Sequence, residues 1–193
     1  AIYYIDRGFD EKILDKFDVG VCLDSTKPMY NRVVAPVYDD DFKYVVGCVG
    51  RIQHEKHNGK KWINSKNFHT GSYLYGYWLA KEKIRETKAV ILVEGQGDVW
   101  RLWEAGIKNV VGMFGANLSD VQTHLLKELG ISNLVVLTDS DGAGQNAKEK
   151  IRKKCDKLFN IVDVDIPADD VGEMSVEEIN EHLKPQLKGY TND

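Results

Sequence analysis

The sequence predicts an α/β protein with a parallel sheet flanked by helices in its C-terminal part, preceded by a smaller part of mixed α+β structure. After residue 87, strand and helix patterns alternate four times, and the strands at 89–93 and 133–138 are apolar runs without polar alternation. Such runs are typical of strands that are buried on both faces of a parallel sheet. Before residue 87, β-rich runs separated by turn residues follow a helical segment. With 193 residues, of which 42% are hydrophobic, the chain is long enough to bury a core.

The N-terminal part is predicted to start with two short helices and to continue as a β-hairpin. Residues 3–17 have a helical pattern that Gly8 interrupts, and Asp10 is placed to cap the second helix. Residues 33–38 and 44–49 are β-rich and flank the acidic turn 39–41. We expect a mobile polar loop at 54–61 and a helix at 73–85.

The C-terminal part alternates strands and helices with short links, which predicts parallel pairing. The predicted strands are 89–93, 109–112, 133–138 and 161–166, and the intervening helices are 98–105, 120–129 and 144–158. Ser175 begins a capping box before a last helix. We therefore expect three parts: residues 1–86, 87–171 and 172–193.

The formal net charge of −4 hides two opposite regions. Residues 42–85 carry nine basic and two acidic side chains, a net of +7, whereas residues 86–193 carry a net of −7. This separation suits a polyanion on one surface and cations on another. The alternative is a solvated loop that happens to be rich in lysine.

Other sequence features bear on the location of the protein. No apolar run approaches the roughly 20 residues that span a bilayer. The three cysteines are far apart and form no C-x-x-C pair, which favours a reducing cytoplasm and argues against a structural zinc site. The chain starts without Met in a helical pattern and has no secretion signal, so we expect it to be a fragment of a longer cytoplasmic protein.

Carboxylates follow three of the predicted strands at the point where each strand ends. Glu94 follows the first strand, Asp139 and Asp141 follow the third, and Asp169 and Asp170 come soon after the fourth. Ligands of parallel α/β sheets bind at the carboxyl ends of the strands, so these groups should converge. Clustered carboxylates repel one another, and a bound divalent cation relieves this repulsion. Because the ligands are all oxygen atoms, they favour Mg²⁺ or Mn²⁺ over zinc. The alternative is that each acid is an ordinary loop residue or helix cap.

The residues around these carboxylates fit an anionic ligand. Gly95, Gly97, Gly142 and Gly144 permit tight strand-to-helix turns and a close approach of the backbone to a bulky anionic ligand. The helix N-termini that follow would present their positive ends to the same ligand. Asp98 is ambiguous, since it is equally a candidate for a helix N-cap, a partner of the ligating carboxylates or a distant metal ligand.

Two motifs resemble the signatures of Toprim domains. Residues 92–98, Leu-Val-Glu-Gly-Gln-Gly-Asp, resemble the Glu-Gly-x-x-Asp signature, and residues 137–144, Leu-Thr-Asp-Ser-Asp-Gly-Ala-Gly, resemble the Asp-x-Asp signature. Toprim domains occur in DNA primases, topoisomerases and several nucleases. These motifs alone therefore imply metal-dependent phosphate chemistry and nothing narrower.

The N-terminal half resembles the polymerase core of bacterial and phage DNA primases. The resemblance rests on residues 4–9, 16–20, 31–37, 46–51, 61–65, 68–71 and 74–76, which occur in the order of that family. With the Toprim motifs, it covers nearly the whole chain and is more specific than either motif.

This resemblance implies roles for individual residues. Glu94, Asp139 and Asp141 would bind the catalytic metals, while Asp170, with Asp169 beside it, would correspond to a further metal-associated acid. The residues implied to line the basic groove for template and nucleotide are Arg7, Arg32, Arg51, Lys61 and Asn64.

Two positions depart from the family pattern. Thr70 replaces a lysine, so one phosphate contact is either lost or taken over by Lys66. Gly172 stands where a second acid is expected, which leaves the number of bound metals open.

The implied activity is metal-dependent, template-directed synthesis of short RNA primers on single-stranded DNA from NTPs. A replicative helicase would be a partner through flanking domains. The alternatives are a Toprim nuclease and an inactive module that binds nucleic acid. Aromatic side chains between the basic residues suit stacked bases, although Tyr75, Tyr77 and Trp78 are expected to pack in the core instead.

Overall fold

The computed structural model describes residues 2–53, 60–139 and 142–191. Residues 54–59 of the predicted polar loop lie outside these ranges. The chain divides into two compact units, Ala1–His69 and Thr70–Asp193. Residues 70–86, predicted to belong to the N-terminal part, therefore lie in the second unit. The three-part division at residues 86 and 171 stays a prediction.

The first unit begins with two short helices, as expected from the sequence. Helix α1 spans Ile2–Ile5 and α2 spans Glu11–Lys16. Asp10 caps α2, because its side chain accepts a hydrogen bond from the backbone N–H of Lys12 at 2.8 Å. Gly8, which separates the helices, has a φ of 77°, a conformation that favours glycine.

The rest of the first unit is an antiparallel sheet in the order β1-β2-β3-β4. Its strands are β1 at Gly20–Val21, β2 at Arg32–Tyr38, β3 at Val45–Ile52 and β4 at Trp62–Asn64. Strands β2 and β3 form the predicted hairpin. Alternate residues of β2 are buried, and Val33, Ala35 and Val37 are at most 2% exposed. One face of this sheet therefore covers the core of the unit.

Gly47 on β3 allows Phe68 to pack directly against the sheet. A Cβ atom at Gly47 would lie 2.2 Å from Cδ2 and 2.9 Å from Cβ of Phe68. Phe68 is 7% exposed, so its ring uses the space that a side chain at residue 47 would take.

The second unit contains the predicted parallel sheet, in the order β6-β5-β7-β8. Its strands are β5 at Ala89–Val93, β6 at Val110–Gly112, β7 at Asn133–Leu137 and β8 at Asn160–Asp163. Strand β5 is buried along its whole length, which explains its continuous apolar sequence. Strand β8 ends three residues earlier than predicted. Asp163, its last residue, forms salt bridges with Lys148 and Arg152.

Helices flank this sheet. They are α3 at Tyr77–Thr87, α4 at Gln96–Glu104, α5 at Asp120–Glu128, α6 at Gly142–Cys155, α7 at Val176–Glu178 and α8 at Lys184–Leu187, with a π-helical turn at Ile179–Leu183 and 3₁₀ turns at Thr70–Ser72 and Val171–Glu173. Side chains from α3, α5 and α6 share one core cluster with strands β5, β6 and β7. The capping boxes at Ser119 and Ser175 are both present.

Helix α3 starts four residues later than predicted because the preceding chain pairs with the sheet. Tyr75 bridges Gly112 at the edge of β6, with N–H···O distances of 2.8 and 3.0 Å. Gly76 then turns the chain with a φ of 78°. No helix among the described residues has the length and apolar character needed to cross a bilayer.

We predict that Gly47→Ala destabilises the first unit by about 1–3 kcal/mol, because the new methyl group must displace the Phe68 side chain within a packed core. Gly20→Ala is the matched control, since a Cβ at this position in β1 meets nothing within 4 Å. Denaturant unfolding monitored by circular dichroism measures both. Equal stability of the two variants would contradict the packing described for Phe68.

Candidate metal and nucleotide site

The parallel pairing of β5 and β7 brings Glu94 and Asp139 together. Val93 pairs with Leu137, so the two strands end at the same level of the sheet. The backbone N–H of Asp139 donates a hydrogen bond to Oε1 of Glu94 at 3.3 Å. Both carboxylates are half-buried. This contact fixes the orientation of Glu94 toward the loop that follows β7.

Gly144 lets the backbone of Asp139 lie against the start of α6. A Cβ at Gly144 would lie 2.0 Å from the carbonyl oxygen of Asp139 and 2.9 Å from its nitrogen. The hydroxyl of Thr138 donates to the carbonyl of Gly144 at 3.0 Å and holds the two segments together. At Gly142, which the sequence also favours for a close approach, an added Cβ would meet nothing within 4 Å. The close approach therefore depends on Gly144 rather than Gly142.

The loop after β6 also contacts Glu94. The N–H of Gly115 donates to the carbonyl oxygen of Glu94 at 2.9 Å, and the N–H of Met113 donates to that of Val93 at 2.9 Å. Phe114, between them, has a φ of 64°. Three loops, after β5, β6 and β7, thus meet around Glu94.

Asp98 is not the N-cap of α4, because the helix begins two residues before it and Gly95 takes the cap position. Asp98 is instead the third residue of the helix, and its Oδ2 accepts the backbone N–H of the cap residue Gly95 at 2.8 Å. Its Oδ1 accepts the N–H of Gly172 at 3.1 Å. The 6% exposed side chain thus joins the loop after β5 to a turn 74 residues later in the chain.

Asp170 lies on the other side of this junction. Its Oδ1 accepts the N–H of Gly172 at 2.6 Å and caps the 3₁₀ turn. A Cβ at Gly172 would lie 3.0 Å from Oδ1 of Asp98 and 3.1 Å from Oδ1 of Asp170, so the turn leaves little room for an acidic side chain there. Asp169 is exposed.

The pKa of Asp98 is raised well above the ordinary value for an aspartate. Burial of the carboxyl group is the largest cause, followed by its hydrogen bond to Asp170 and the charge of Asp170, with a smaller effect from the charge of Asp139. The N–H of Gly95 acts in the opposite direction.

The donor set at the strand ends fits a hard divalent cation, because Glu94 and Asp139 offer carboxylate oxygens only. Asp141, the third predicted ligand, lies outside the described residues. Within 2–53, 60–139 and 142–191, no three His, Cys, Asp or Glu side chains gather closely enough to hold an ion. The ligand roles of Glu94, Asp139, Asp141, Asp169 and Asp170 therefore stay predictions.

The basic residues predicted to contact nucleic acid lie in the first unit. Arg7 is exposed and donates to the hydroxyl of Tyr3 at 2.9 Å. Arg32 is half-buried, and its guanidinium donates to the carbonyl oxygens of Gly50, Lys60 and Lys61 at 3.1–3.3 Å. Arg32 thus stabilises the backbone next to Lys61.

Arg51 is buried, with 6% of its surface exposed. Its guanidinium carbon lies 4.2 Å from the ring centroid of Tyr3 and 5.9 Å from that of Trp62. Trp62 pairs with Arg51 across β3 and β4 and is 37% exposed. Arg51 thus supports an exposed indole ring through cation–π contacts.

The other predicted contacts are close to this ring in sequence. Lys61, Asn64 and Lys66 are exposed. Phe68 is buried beneath Gly47 and is not available for stacking. The prediction that Tyr75, Tyr77 and Trp78 pack in the core is confirmed, since they are 0%, 7% and 5% exposed.

Sequence reasoning missed three features of these sites: the Asp98–Gly172 hydrogen bond, the burial of Arg51 and the backbone conformation of Phe114. Gly172 carried a signal, because it replaces an expected acid. The other two features carried none, because they depend on tertiary contacts.

We predict that Asp98→Ala lowers the free energy of unfolding by about 1–3 kcal/mol, because the half-buried N–H of Gly95 loses its acceptor. Asp98→Asn should cost less. Its amide oxygen can still accept the N–H of Gly95, and Gly172, which loses Oδ1 of Asp98, keeps Asp170 as an acceptor. Thermal and denaturant unfolding in a chelating buffer measure both variants.

The wild type and Asp98→Asn should differ in how their free energy of unfolding depends on pH. Because the folded state holds the Asp98 proton more tightly than the unfolded chain, wild-type stability falls as pH rises above the ordinary aspartate pKa. Asparagine has no such proton, so the stability of Asp98→Asn relative to the wild type should increase with pH. A pH-independent difference would contradict the raised pKa of Asp98.

Comparison with known proteins identifies the region around the candidate site. Residues 88–164 match the family model described as a Toprim domain. The chain is 39% identical over 158 residues to a DNA primase of Helicobacter pylori strain J99, a match that covers 76% of this chain and 28% of that protein.

Solved structures agree with this assignment. The zinc-binding and RNA polymerase domains of Aquifex aeolicus primase match with a TM-score of 0.82 and 30% identity, covering 97% of this chain and 54% of that one. The DnaG primase catalytic domain bound to single-stranded DNA matches with a TM-score of 0.80 over 96% of this chain and 69% of that one. At 20% identity, the second match shows the fold alone.

The chain spans 28% of the length of its Helicobacter relative and about half of the Aquifex structure. Within that span, the chain resembles these primases in sequence, in its Toprim domain and in the mixed α+β part that precedes this domain. The chain is therefore a homologue of bacterial DNA primases, with a Toprim domain at residues 88–164.

Proposed function

We propose that this chain is the catalytic core of a DNA primase, which synthesises short RNA primers on a single-stranded DNA template. The observation that carries the proposal is the contact between Glu94 and Asp139 at the carboxyl end of the parallel sheet. Carboxylates at that edge, in a chain homologous to primases, are placed for phosphate chemistry.

The proposed reaction is nucleotidyl transfer. The 3′-hydroxyl oxygen of the growing primer attacks the α-phosphorus of an NTP. The bond between that phosphorus and the oxygen bridging to the β-phosphorus breaks, and pyrophosphate leaves. The hydroxyl proton passes to solvent.

Glu94 and Asp139 would hold the divalent cation, with Asp141 as a further ligand predicted from sequence. The backbone N–H of Asp139 orients the Glu94 carboxylate, and the Gly115 N–H fixes the Glu94 backbone. When bound, Mg²⁺ or Mn²⁺ neutralises charge on the triphosphate and lowers the pKa of the hydroxyl. The N-termini of α4 and α6 add positive dipole ends at the same edge.

The first unit would bind the template. Trp62 offers an exposed ring supported by Arg51, and Lys61, Lys66 and Asn64 are exposed nearby in sequence. A ring that stacks on a base, combined with lysines that contact phosphates, is the usual means of binding single strands. A primase structure of this fold contains single-stranded DNA, which supports the choice of template.

These relatives are all primases, so they do not favour a Toprim nuclease or an inactive binding module. A cytoplasmic location follows from the proposed role in replication. A replicative helicase is a proposed partner, through parts of the longer relatives that this chain does not span.

We predict that Glu94→Gln abolishes primer synthesis and leaves the fold intact, because the amide keeps the shape of the side chain but loses the charge that holds the cation. Primer synthesis is measured with labelled NTPs, single-stranded DNA and Mg²⁺ or Mn²⁺. Circular dichroism checks the fold.

Glu128→Gln is the matched control, since its side chain is 61% exposed on α5 and lies beside His124, away from the site. It should retain full synthesis. Primer synthesis by the Glu94→Gln variant would rule out the proposed site, and cleaved DNA in place of RNA product would identify a nuclease.

We predict that Trp62→Ala weakens binding of single-stranded DNA by roughly 5- to 100-fold, the loss expected for one base-stacking ring. Fluorescence anisotropy with a labelled oligonucleotide, repeated at several salt concentrations, measures the affinity. The salt dependence should stay unchanged, because no cationic side chain is removed.

Tyr44→Ala controls for the loss of an exposed ring elsewhere in the same unit, since Tyr44 is 72% exposed at the β2–β3 turn. It should bind DNA like the wild type. If both variants bind equally well, Trp62 is not part of the template surface.

A further inference from the structure

Phe114 adopts a backbone conformation that is unfavourable for its residue type. The non-glycine residues with positive φ among the described part of the chain are Asp18, Asn31, Phe42, Asn67, Lys88 and Phe114. Asp and Asn tolerate this region, whereas a bulky residue there is an outlier. Phe42 lies in the hairpin turn and Lys88 caps α3. Phe114 differs from both because it closely follows a strand at the site edge of the sheet.

The hydrogen bonds on both sides of Phe114 hold this conformation. Met113 donates to the carbonyl of Val93, and Gly115 donates to the carbonyl of Glu94, each at 2.9 Å. The buried amide of Gln122 donates to the carbonyl of Met113 at 3.2 Å. The loop therefore cannot relax without disturbing the backbone of Glu94.

The ring of Phe114 rests on a buried aromatic stack. Its centroid lies 6.0 Å from that of Tyr75, at an interplanar angle of 82°. Tyr75 is fully buried, and its hydroxyl accepts a hydrogen bond from Nε1 of Trp100 at 2.9 Å. Phe114 itself is half-buried. The ring is thus in contact with Tyr75, while part of the surface of Phe114 stays exposed to solvent.

Strained residues persist where the surrounding structure holds them, and they concentrate at ligand sites. Glycine would adopt a φ of 64° without strain, and Gly115 directly follows, with a φ of 136°. The chain nevertheless places an aromatic ring at the strained position. A ring that contacts a ligand gives a physical reason for this.

We propose that Phe114 contacts the nucleoside part of the incoming NTP and positions it beside Glu94. The inference rests on the proposed function, which places the triphosphate at Glu94 and Asp139. A nucleoside attached to that triphosphate needs an apolar surface close by. The backbone on both sides of Phe114 is bonded to the Val93–Glu94 backbone, and its ring lies against Tyr75. Phe114 is therefore a residue for nucleotide affinity, separate from the metal-binding carboxylates.

The test compares the wild-type chain with Phe114→Leu, Phe114→Gly and Phe114→Tyr in two measurements. The first is the Kd for an NTP with Mg²⁺, and the second is the KM and kcat for NTP in primer synthesis. Leu and Gly remove the flat ring, so both constants should rise about tenfold with a much smaller change in kcat. Phe114→Tyr keeps the ring, so its Kd and KM should stay at wild-type values. Affinity for single-stranded DNA should be unchanged.

Lys88→Gly is the matched control, because it relieves a φ of 53° at the opposite end of β5. It should leave Kd, KM and kcat at wild-type values. Unchanged NTP affinity in Phe114→Leu and Phe114→Gly would overturn the inference, and so would a loss confined to kcat, which indicates displacement of Glu94. If the wild type binds NTP but makes no primer, the proposed function fails while the Kd values still decide the role of Phe114. A wild type that binds no NTP overturns both.

Discussion

The parallel pairing of β5 with β7 is the interaction on which the candidate site depends. It sets Val93 level with Leu137, so Glu94 and Asp139 leave the sheet side by side. A slip of two residues would move one carboxylate by about 6.6 Å along the strand direction. A divalent cation bound at about 2.1 Å from each oxygen could not bridge that distance. The fully buried sequence of β5 holds the register, because both of its faces are packed.

Backbone N–H groups donate hydrogen bonds to Asp98, the buried acid at this edge of the sheet. Asp98 accepts bonds from Gly95 and Gly172 and so joins the loop after β5 to the turn after β8. The same turn takes the side chain of Asp170 as its cap. Because a Cβ at Gly172 would lie within 3.1 Å of both carboxyl groups, a side chain there would compete with this junction. The glycine at the position where an acid is expected thus leaves room for these hydrogen bonds.

Much of the fold could be predicted because its signals are local. The apolar run of β5 and the rule that ligands bind at carboxyl ends are enough to place Glu94 beside Asp139 from the sequence alone. The burial of Arg51 could not be predicted, since it requires Tyr3 and Trp62 to meet across the unit. The φ of Phe114 also has no signal in the sequence, because hydrogen bonds to a neighbouring strand impose it.

We propose that Glu94 and Asp139 form a divalent-cation site at the end of β5 and β7. The most direct measurement is anomalous diffraction from crystals of the chain soaked in Mn²⁺. We expect an anomalous peak about 2.0–2.3 Å from carboxylate oxygens of both residues. A peak at Asp98 and Asp170 with none at Glu94 would contradict it.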